Sequence, residues 1–177
     1  MPYEPWQPGM RLTASRLRAI SPTRQSWTPT WTTTTGLALP SFGNAVLSCR
    51  YAVSATECWG EFGVVFGTTT TFGSGATTGD NWLFSLPAAG ASVQEAIGWA
   101  ELNQSTTHRV VCRLRMITAT QFGLETSSGA PDGNAVGSGA AGLVDAVSPW
   151  HDGGSPPVGD WASGDAIRGT FCYELAT

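Results

Sequence analysis

Short runs of β-branched and aromatic residues, separated by clusters of Gly, Ser, Thr and Pro, constrain the fold of this chain more than any other feature. The runs are WTPTWTTTT (27–35), AVLSCRY (45–51), ECWGEFGVVF (57–66), NWLFSLP (81–87), EAIGWAEL (95–102), RVVCRLRMI (109–117), QFGLET (121–126) and IRGTFCYEL (167–175). Helical periodicity is nearly absent from them. About eight short strands at this spacing favour an all-β fold, an antiparallel β-sandwich or jelly roll, over βαβ units.

Alternation within the runs predicts which side chains share a face of the sheet. The predicted sets are Leu47, Cys49 and Tyr51; Cys58, Phe62, Val64 and Phe66; Val110, Cys112, Leu114 and Met116; and Ile97 with Trp99, alternating with Gly98 and Ala100. With 177 residues, the chain is long enough for one domain with a core of its own.

The segment before the first strand-like run has a different character. It is rich in proline, and Thr13 is placed to cap a short helix over 14–20 that Pro22 would end. Such a helix buries little surface alone and needs a partner surface. We therefore divide the chain into an N-terminal docking arm with a short helix, 1–26, and a β-sandwich domain, 27–177.

Charge is distributed unevenly between these two parts. All nine basic residues are arginines, and the net charge is −4. Residues 1–26 carry four arginines against Glu4, a charge of +3, so the remainder carries −7. A basic arm on an acidic body fits docking to an acidic neighbouring subunit, although solvated arginines without a partner explain it equally well.

Several partners and locations are not expected. The body has no basic stripe with interleaved aromatic residues, which argues against nucleic-acid binding. No stretch approaches the ~20 apolar residues of a membrane-spanning helix. The leader MPYEPWQPGM lacks the apolar run of a secretory signal, so we expect synthesis and assembly in a cytoplasm.

The four cysteines form no metal-binding or redox motif. None belongs to a CxxC or a Cys–His cluster, so a zinc site is not expected. If 52–55 is a tight hairpin turn, Cys49 and Cys58 lie opposite one another. A disulfide is then within reach, whereas a cytoplasmic location favours reduced thiols; the two alternatives stay open.

Candidate cofactor and catalytic motifs have the wrong context. GSGAAG at 137–142 matches GxGxxG, but no strand–helix unit surrounds it, and we expect no cofactor. His108 and His151 are the only histidines, and no GxSxG elbow is present, so we expect no hydrolytic triad and no enzyme. The loop carboxylates Asp80, Asp132, Asp160 and Asp165 lack the spacing of a calcium loop, and turn capping is the favoured role.

The loop SPWHDGGSPPVGDW (148–161) is the best candidate for a surface contact. Its residues Trp150, His151, Asp152 and Trp161 combine aromatic platforms with carboxylates, one way to hold a host-cell glycan. The alternative, which we favour, is that Trp161 packs beneath the last strand.

An ordered series of blocks carries a family resemblance. The blocks are WTPTW (27–31), PSFGNAVLSCRY (40–51), VVFGTTTTFGSG (64–75), WLFSLP (82–87) and DWASGDAIRGTFCYE (160–174). Together they resemble a β-rich module of tail-fibre and minor tail proteins in bacteriophages and prophages of actinobacteria. The resemblance covers 27–177. It departs from the module at Phe42, where an aliphatic residue is usual, and at GTFCY, where GTY is usual.

The leader PWQPGMRLTASRL resembles a segment that opens many phage tail and appendage proteins and ties them to the particle. The anchoring positions implied by this likeness, with the adjacent Arg11, are Trp6, Pro8, Gly9, Arg11, Leu12, Thr13, Ala14 and Leu17. The resemblance implies a non-enzymatic virion protein, a tail accessory component that forms a homotrimer and binds other virion proteins. Decoration of the phage head and recognition of a host glycan are the alternatives.

Overall fold

The computed structural model describes residues 9, 11, 13, 23–37, 39–54, 56–73, 80–94, 96–104, 108–126, 143–146 and 161–176. In this part the strands are β1 (Gln25–Ser26), β2 (Trp31–Thr33), β3 (Val46–Leu47), β4 (Arg50–Val53), β5 (Glu57–Val65), β6 (Trp82–Ser85), β7 (Gly98–Gln104), β8 (His108–Thr118), β9 (Gln121–Glu125) and β10 (Ala166–Glu174). The short helix predicted over 14–20 lies outside the described residues.

The strands form one antiparallel sheet that curls over on itself. Its order is β1-β4-β5-β10-β7-β8-β9-β6-β2, and β3 pairs with β5 beside β4. Phe62 of β5 contacts Phe84 of β6 and Phe122 of β9, with ring centroids 4.9 and 5.2 Å apart, so the two halves of the sheet face each other. The predicted all-β, antiparallel, sandwich-like class is confirmed.

Most predicted faces are confirmed. Cys58, Phe62 and Val64 of β5 are buried, as are Cys112 and Leu114 of β8. The two-residue alternation holds over long stretches of both strands, because only one face of each strand meets the core.

The prediction that Ile97 and Trp99 share a face is wrong. Ile97 is buried, whereas Trp99 is 63% exposed. Ile97 precedes β7 and does not follow its alternation. The core side of β7 begins with Gly98, where a Cβ would lie 1.9 Å from the carbonyl oxygen of Thr170 on β10. Two strand backbones thus approach too closely for a side chain there, and this places Trp99 outside.

An aromatic cluster joins segments that are far apart in sequence. The ring of Trp31 stacks on Phe66 and Phe84, with centroids 5.5 and 5.6 Å apart, and meets Trp82 edge-on at 4.8 Å. Trp82 in turn lies 5.1 Å from Trp161. Offset and edge-on contacts of this kind add to the stabilisation from buried area.

The cysteines are reduced, and the hairpin differs from the predicted one. The turn is closed by hydrogen bonds between Ser54 and Glu57, so Cys58 lies opposite Val53 and not opposite Cys49. Cys49 and Cys58 are both buried free thiols. Burial raises the pKa of each, because the thiolate would lose its hydration.

The four-threonine segment after β5 is bound to a second turn. The side-chain oxygen of Asn44 accepts hydrogen bonds from the amide and hydroxyl of Thr69 at 2.9 and 3.0 Å. Thr70 donates to the carbonyl of Phe42 at 2.7 Å. Gly43 has a φ of 54°, and a Cβ there would lie 2.2 Å from the Thr69 carbonyl oxygen. The threonine segment is therefore fastened to a segment 25 residues earlier in the chain.

Asn44→Ala should destabilise the protein by about 1–2 kcal/mol, because it removes side-chain hydrogen bonds that bind the threonine segment. Urea unfolding followed by tryptophan fluorescence measures this change. Asn103→Ala on the outer side of β7 is the matched control and should change the free energy of unfolding by less than about 0.5 kcal/mol. Equal effects of the two substitutions would contradict the structural role of Asn44.

Stability should fall as the pH rises from about 9, because burial raises the pKa of Cys112 from 9.0 to about 12. Between these values the unfolded chain releases a proton that the folded chain retains, so unfolding is favoured with increasing pH. Cys112→Ala should reduce this slope by up to about 1.4 kcal/mol per pH unit. Urea unfolding of the wild type and the variant at several pH values tests this, and an unchanged slope in Cys112→Ala would contradict the assignment.

Candidate binding surface

The predicted anchoring residues lie mostly outside the described part of the chain. Gly9, Arg11 and Thr13 are described and exposed. Trp6, Pro8, Leu12, Ala14 and Leu17 lie outside the described residues. The anchoring role of the set stays a prediction.

The predicted glycan-contacting set loses one member. Trp161 is 4% exposed, and its indole nitrogen donates a hydrogen bond to the carbonyl of Asp145 at 3.1 Å. A ring enclosed in the core offers no face to a ligand, so the prediction of Trp161 as a surface contact is corrected. Trp150, His151 and Asp152 lie outside the described residues.

Two of the loop carboxylates are buried and act on neighbouring backbone or side chains. Asp165 accepts a hydrogen bond from the amide of Ala162 at 2.8 Å, and Asp80 accepts one from the hydroxyl of Thr35. These contacts agree with the capping role. Asp132, Asp160, His151 and the 137–142 motif lie outside the described residues. Across the described ranges, no group of three or more His, Cys, Asp or Glu side chains is arranged to hold a metal ion.

A shallow groove of about 540 Å³ lies on the outer face of the sheet. It runs across β3, β5, β10, β7 and β8. We call it the outer groove. The residues that line it include Val46, Glu61, Gly63, Trp99, Glu101, Val111 and Arg168. Gly63 contributes only backbone to this lining. Val46 and Val111 are each 67% exposed, so the groove has apolar walls in contact with solvent.

Trp59 and Glu61, which we call the first Trp–Glu pair, bind the side chain of Arg24 beside this groove. The guanidinium of Arg24 lies over the Trp59 ring, 5.4 Å from its centroid. One of its nitrogens, Nη1, is 2.7 Å from Oε1 of Glu61. Side chains two residues apart on a strand point to the same side, so a ring and a carboxylate receive the face and the edge of one guanidinium.

The same arrangement of residue types recurs on β7, where Trp99 and Glu101 form a second Trp–Glu pair. Both side chains line the outer groove. The strand register places Trp99 and Glu61 on either side of Thr170 of β10. Among the described residues, the cation nearest to Glu101 is Arg109, at 3.9 Å, which is too far for a hydrogen bond. The second pair is thus more open than the first.

These two pairs were not predicted from the sequence, although a signal was present. CWGEF and GWAEL share the pattern Trp-x-Glu within strand-like runs. The spacing alone puts Trp and Glu on one face, but it does not tell whether that face is the core or the solvent. Placing Trp99 with Ile97 concealed the repeat.

No protein-family model, no curated protein and no solved structure matches this chain. Within the described ranges, no helix has the length and apolar character needed to cross a membrane.

Arg24 and Glu61 should show a coupling energy of about 0.5 kcal/mol in a double-mutant cycle with Arg24→Gln and Glu61→Gln, decreasing at high salt, because both side chains are partly exposed. Urea unfolding of the four proteins measures it. Arg50 lies directly opposite Glu61 on β4 but makes no ion pair within the described structure. The cycle with Arg50→Gln should give a smaller coupling, and a coupling near zero between Arg24 and Glu61 would contradict the assignment.

Proposed function

We propose that this chain is a non-enzymatic structural protein of a bacteriophage virion, a tail-associated accessory component displayed on the particle as a homotrimer. The N-terminal arm anchors it to the particle, and the β-sandwich is the displayed domain. Decoration of the phage head is the alternative location for the same fold and the same arm.

The observation that carries the proposal is how the five resemblance blocks come together. Each contributes aromatic rings to the cluster around Trp31: Trp31, Phe42, Phe66 and Phe72, Trp82 and Phe84, and Trp161. Blocks scattered over 27–174 form one contiguous unit. This supports a resemblance of whole modules, because unrelated short matches have no reason to pack together.

The threonine segment supports the same reading. The block 64–75 is bound to the block 40–51 through Asn44 and Thr69. This Gly- and Thr-rich stretch is hydrogen-bonded to another segment of the same chain. That assignment favours a structural module over a phosphate-binding one.

The arm should be needed for incorporation into particles but not for folding of the sheet. At protein concentrations where the chain is monomeric, removal of residues 2–20 should leave the urea midpoint unchanged, because the described sheet and its core begin after Thr23. Particle incorporation, measured by quantitative immunoblotting of purified virions, should fall at least about tenfold, the loss expected when an attachment loses ~1.4 kcal/mol or more. Asn103→Ala, with an intact arm, is the control.

Unchanged incorporation of the shortened chain would refute anchoring by the arm. Immunogold labelling of particles distinguishes tail from head, and label on neither would refute the virion role. Binding to a glycan array that depends on Trp150 would favour the host-glycan alternative. Turnover of any polysaccharide would refute the non-enzymatic assignment.

A further inference from the structure

We propose that the second Trp–Glu pair, Trp99 and Glu101, is a receptor for an arginine side chain from the N-terminal arm of a neighbouring copy of this chain. The inference rests on the proposed function, because it assigns the surface on which the anchoring arm docks. The arm supplies Arg11, Arg16 and Arg18 as candidates for the docked side chain.

The first Trp–Glu pair is the template for this inference. There, an arginine at the base of the arm, Arg24, already lies on a ring and a carboxylate of the same outer face. The contact uses the two recognition modes of a guanidinium, stacking on an aromatic face and donation to a carboxylate. The described structure thus contains one occupied example of the chemistry.

The second pair offers the same two groups in a more accessible setting. Trp99 is 63% exposed, and the side chain of Glu101 is 43% exposed. An exposed tryptophan beside Val111 is apolar surface that a partner can cover. The arm carries matching apolar residues around its arginines, among them Leu12 and Leu17. Arginine and apolar contacts together therefore suit this end of the outer groove.

The described residues Arg24 to Ser26 run, toward the N-terminus, away from the second pair of the same chain. On β1, Ser26 pairs with Arg50 and Gln25 pairs with Tyr51. Moving from Ser26 back toward Arg24, the chain passes toward the β4–β5 turn at Ser54 and away from the row that holds Glu61. Trp99 lies in the same row as Glu61, and Glu101 lies two residues further from the β4–β5 turn. Both are on β7, four strands from β1, which is roughly 19 Å across the sheet. The chain would have to reverse direction for its own arm to reach the second pair, whereas the arm of a neighbouring copy would not.

Two arginines of the domain are neighbours of Glu101 across the strands. Arg168 lies directly opposite it on β10, and Arg109 approaches it from β8 at 3.9 Å. Arg113, opposite Trp99, donates to the buried Glu125. A docking arginine has to displace Arg109 and tolerate Arg168. Removal of Arg109 should therefore strengthen docking, a direction that a merely structural role for Glu101 does not predict.

The first test is self-association of the full-length chain, measured by sedimentation equilibrium. Trp99→Ala and Glu101→Gln should each weaken it about tenfold, since each removes one half of the guanidinium contact. Arg109→Gln should strengthen it severalfold. Leu37→Ala, at another exposed apolar side chain, and Glu174→Gln, on the outer side of β10, are the matched controls and should leave it unchanged.

The second test identifies the docked segment. A photoreactive amino acid at position 111 is irradiated in an equimolar mixture of isotopically light and heavy full-length protein. We expect cross-links to peptides from residues 1–22, with light–heavy pairs among them. Cross-links to that segment within one chain only, cross-links elsewhere only, or no cross-links would each overturn the inference.

The outcomes separate this inference from the proposed function. If removal of 2–20 abolishes particle incorporation while Trp99→Ala and Glu101→Gln leave both self-association and incorporation unchanged, the virion role stands and the receptor assignment is wrong. If these variants weaken self-association and cross-links reach the arm, but antibody labels no particle, the receptor assignment stands and the virion role is wrong.

Discussion

The packing of Trp31 is the interaction on which the rest of the structure depends. It lies on β2, at one end of the sheet, yet its ring stacks on Phe66, which follows β5 near the other end. A flat sheet would hold these residues many strands apart. Their contact therefore requires the sheet to curl, and the curled sheet encloses Trp82 and Phe84 between its halves.

Much of this fold follows from local sequence. The alternation in ECWGEFGVVF and RVVCRLRMI gives the core faces of β5 and β8, because a strand with one buried face repeats every two residues. The predicted pairing of Cys49 with Cys58 placed the hairpin turn at 52–55, whereas the observed turn lies two residues later, at Ser54–Glu57. A shift of two residues in a turn is not visible in composition, although it decides which side chains are opposite.

The candidate site was harder to predict, for a physical reason. Trp-x-Glu is a local pattern, but the accessibility of Trp99 depends on β10, a strand about 70 residues further along the chain. The two alternatives for Trp161 show the same limit, because the loop sequence left a surface contact open beside the favoured burial. Its loop is rich in polar residues and glycine, yet its ring is covered by Phe66 and Trp82, which come from two other segments.

The core and the outer face are linked through one row of the sheet. Phe171 on β10 faces the core, and its cross-strand neighbours are Gly60 on β5 and Gly98 on β7. A Cβ atom added to Gly60 would lie 2.6 Å from the ring of Phe171. A Cβ atom added to Gly98 would lie 2.8 Å from the Cα atom of Phe171. Each glycine is adjacent in sequence to a tryptophan, so alternation turns Trp59 and Trp99 outward together. The close packing around Phe171 thus fixes the register that presents both Trp–Glu pairs on one surface.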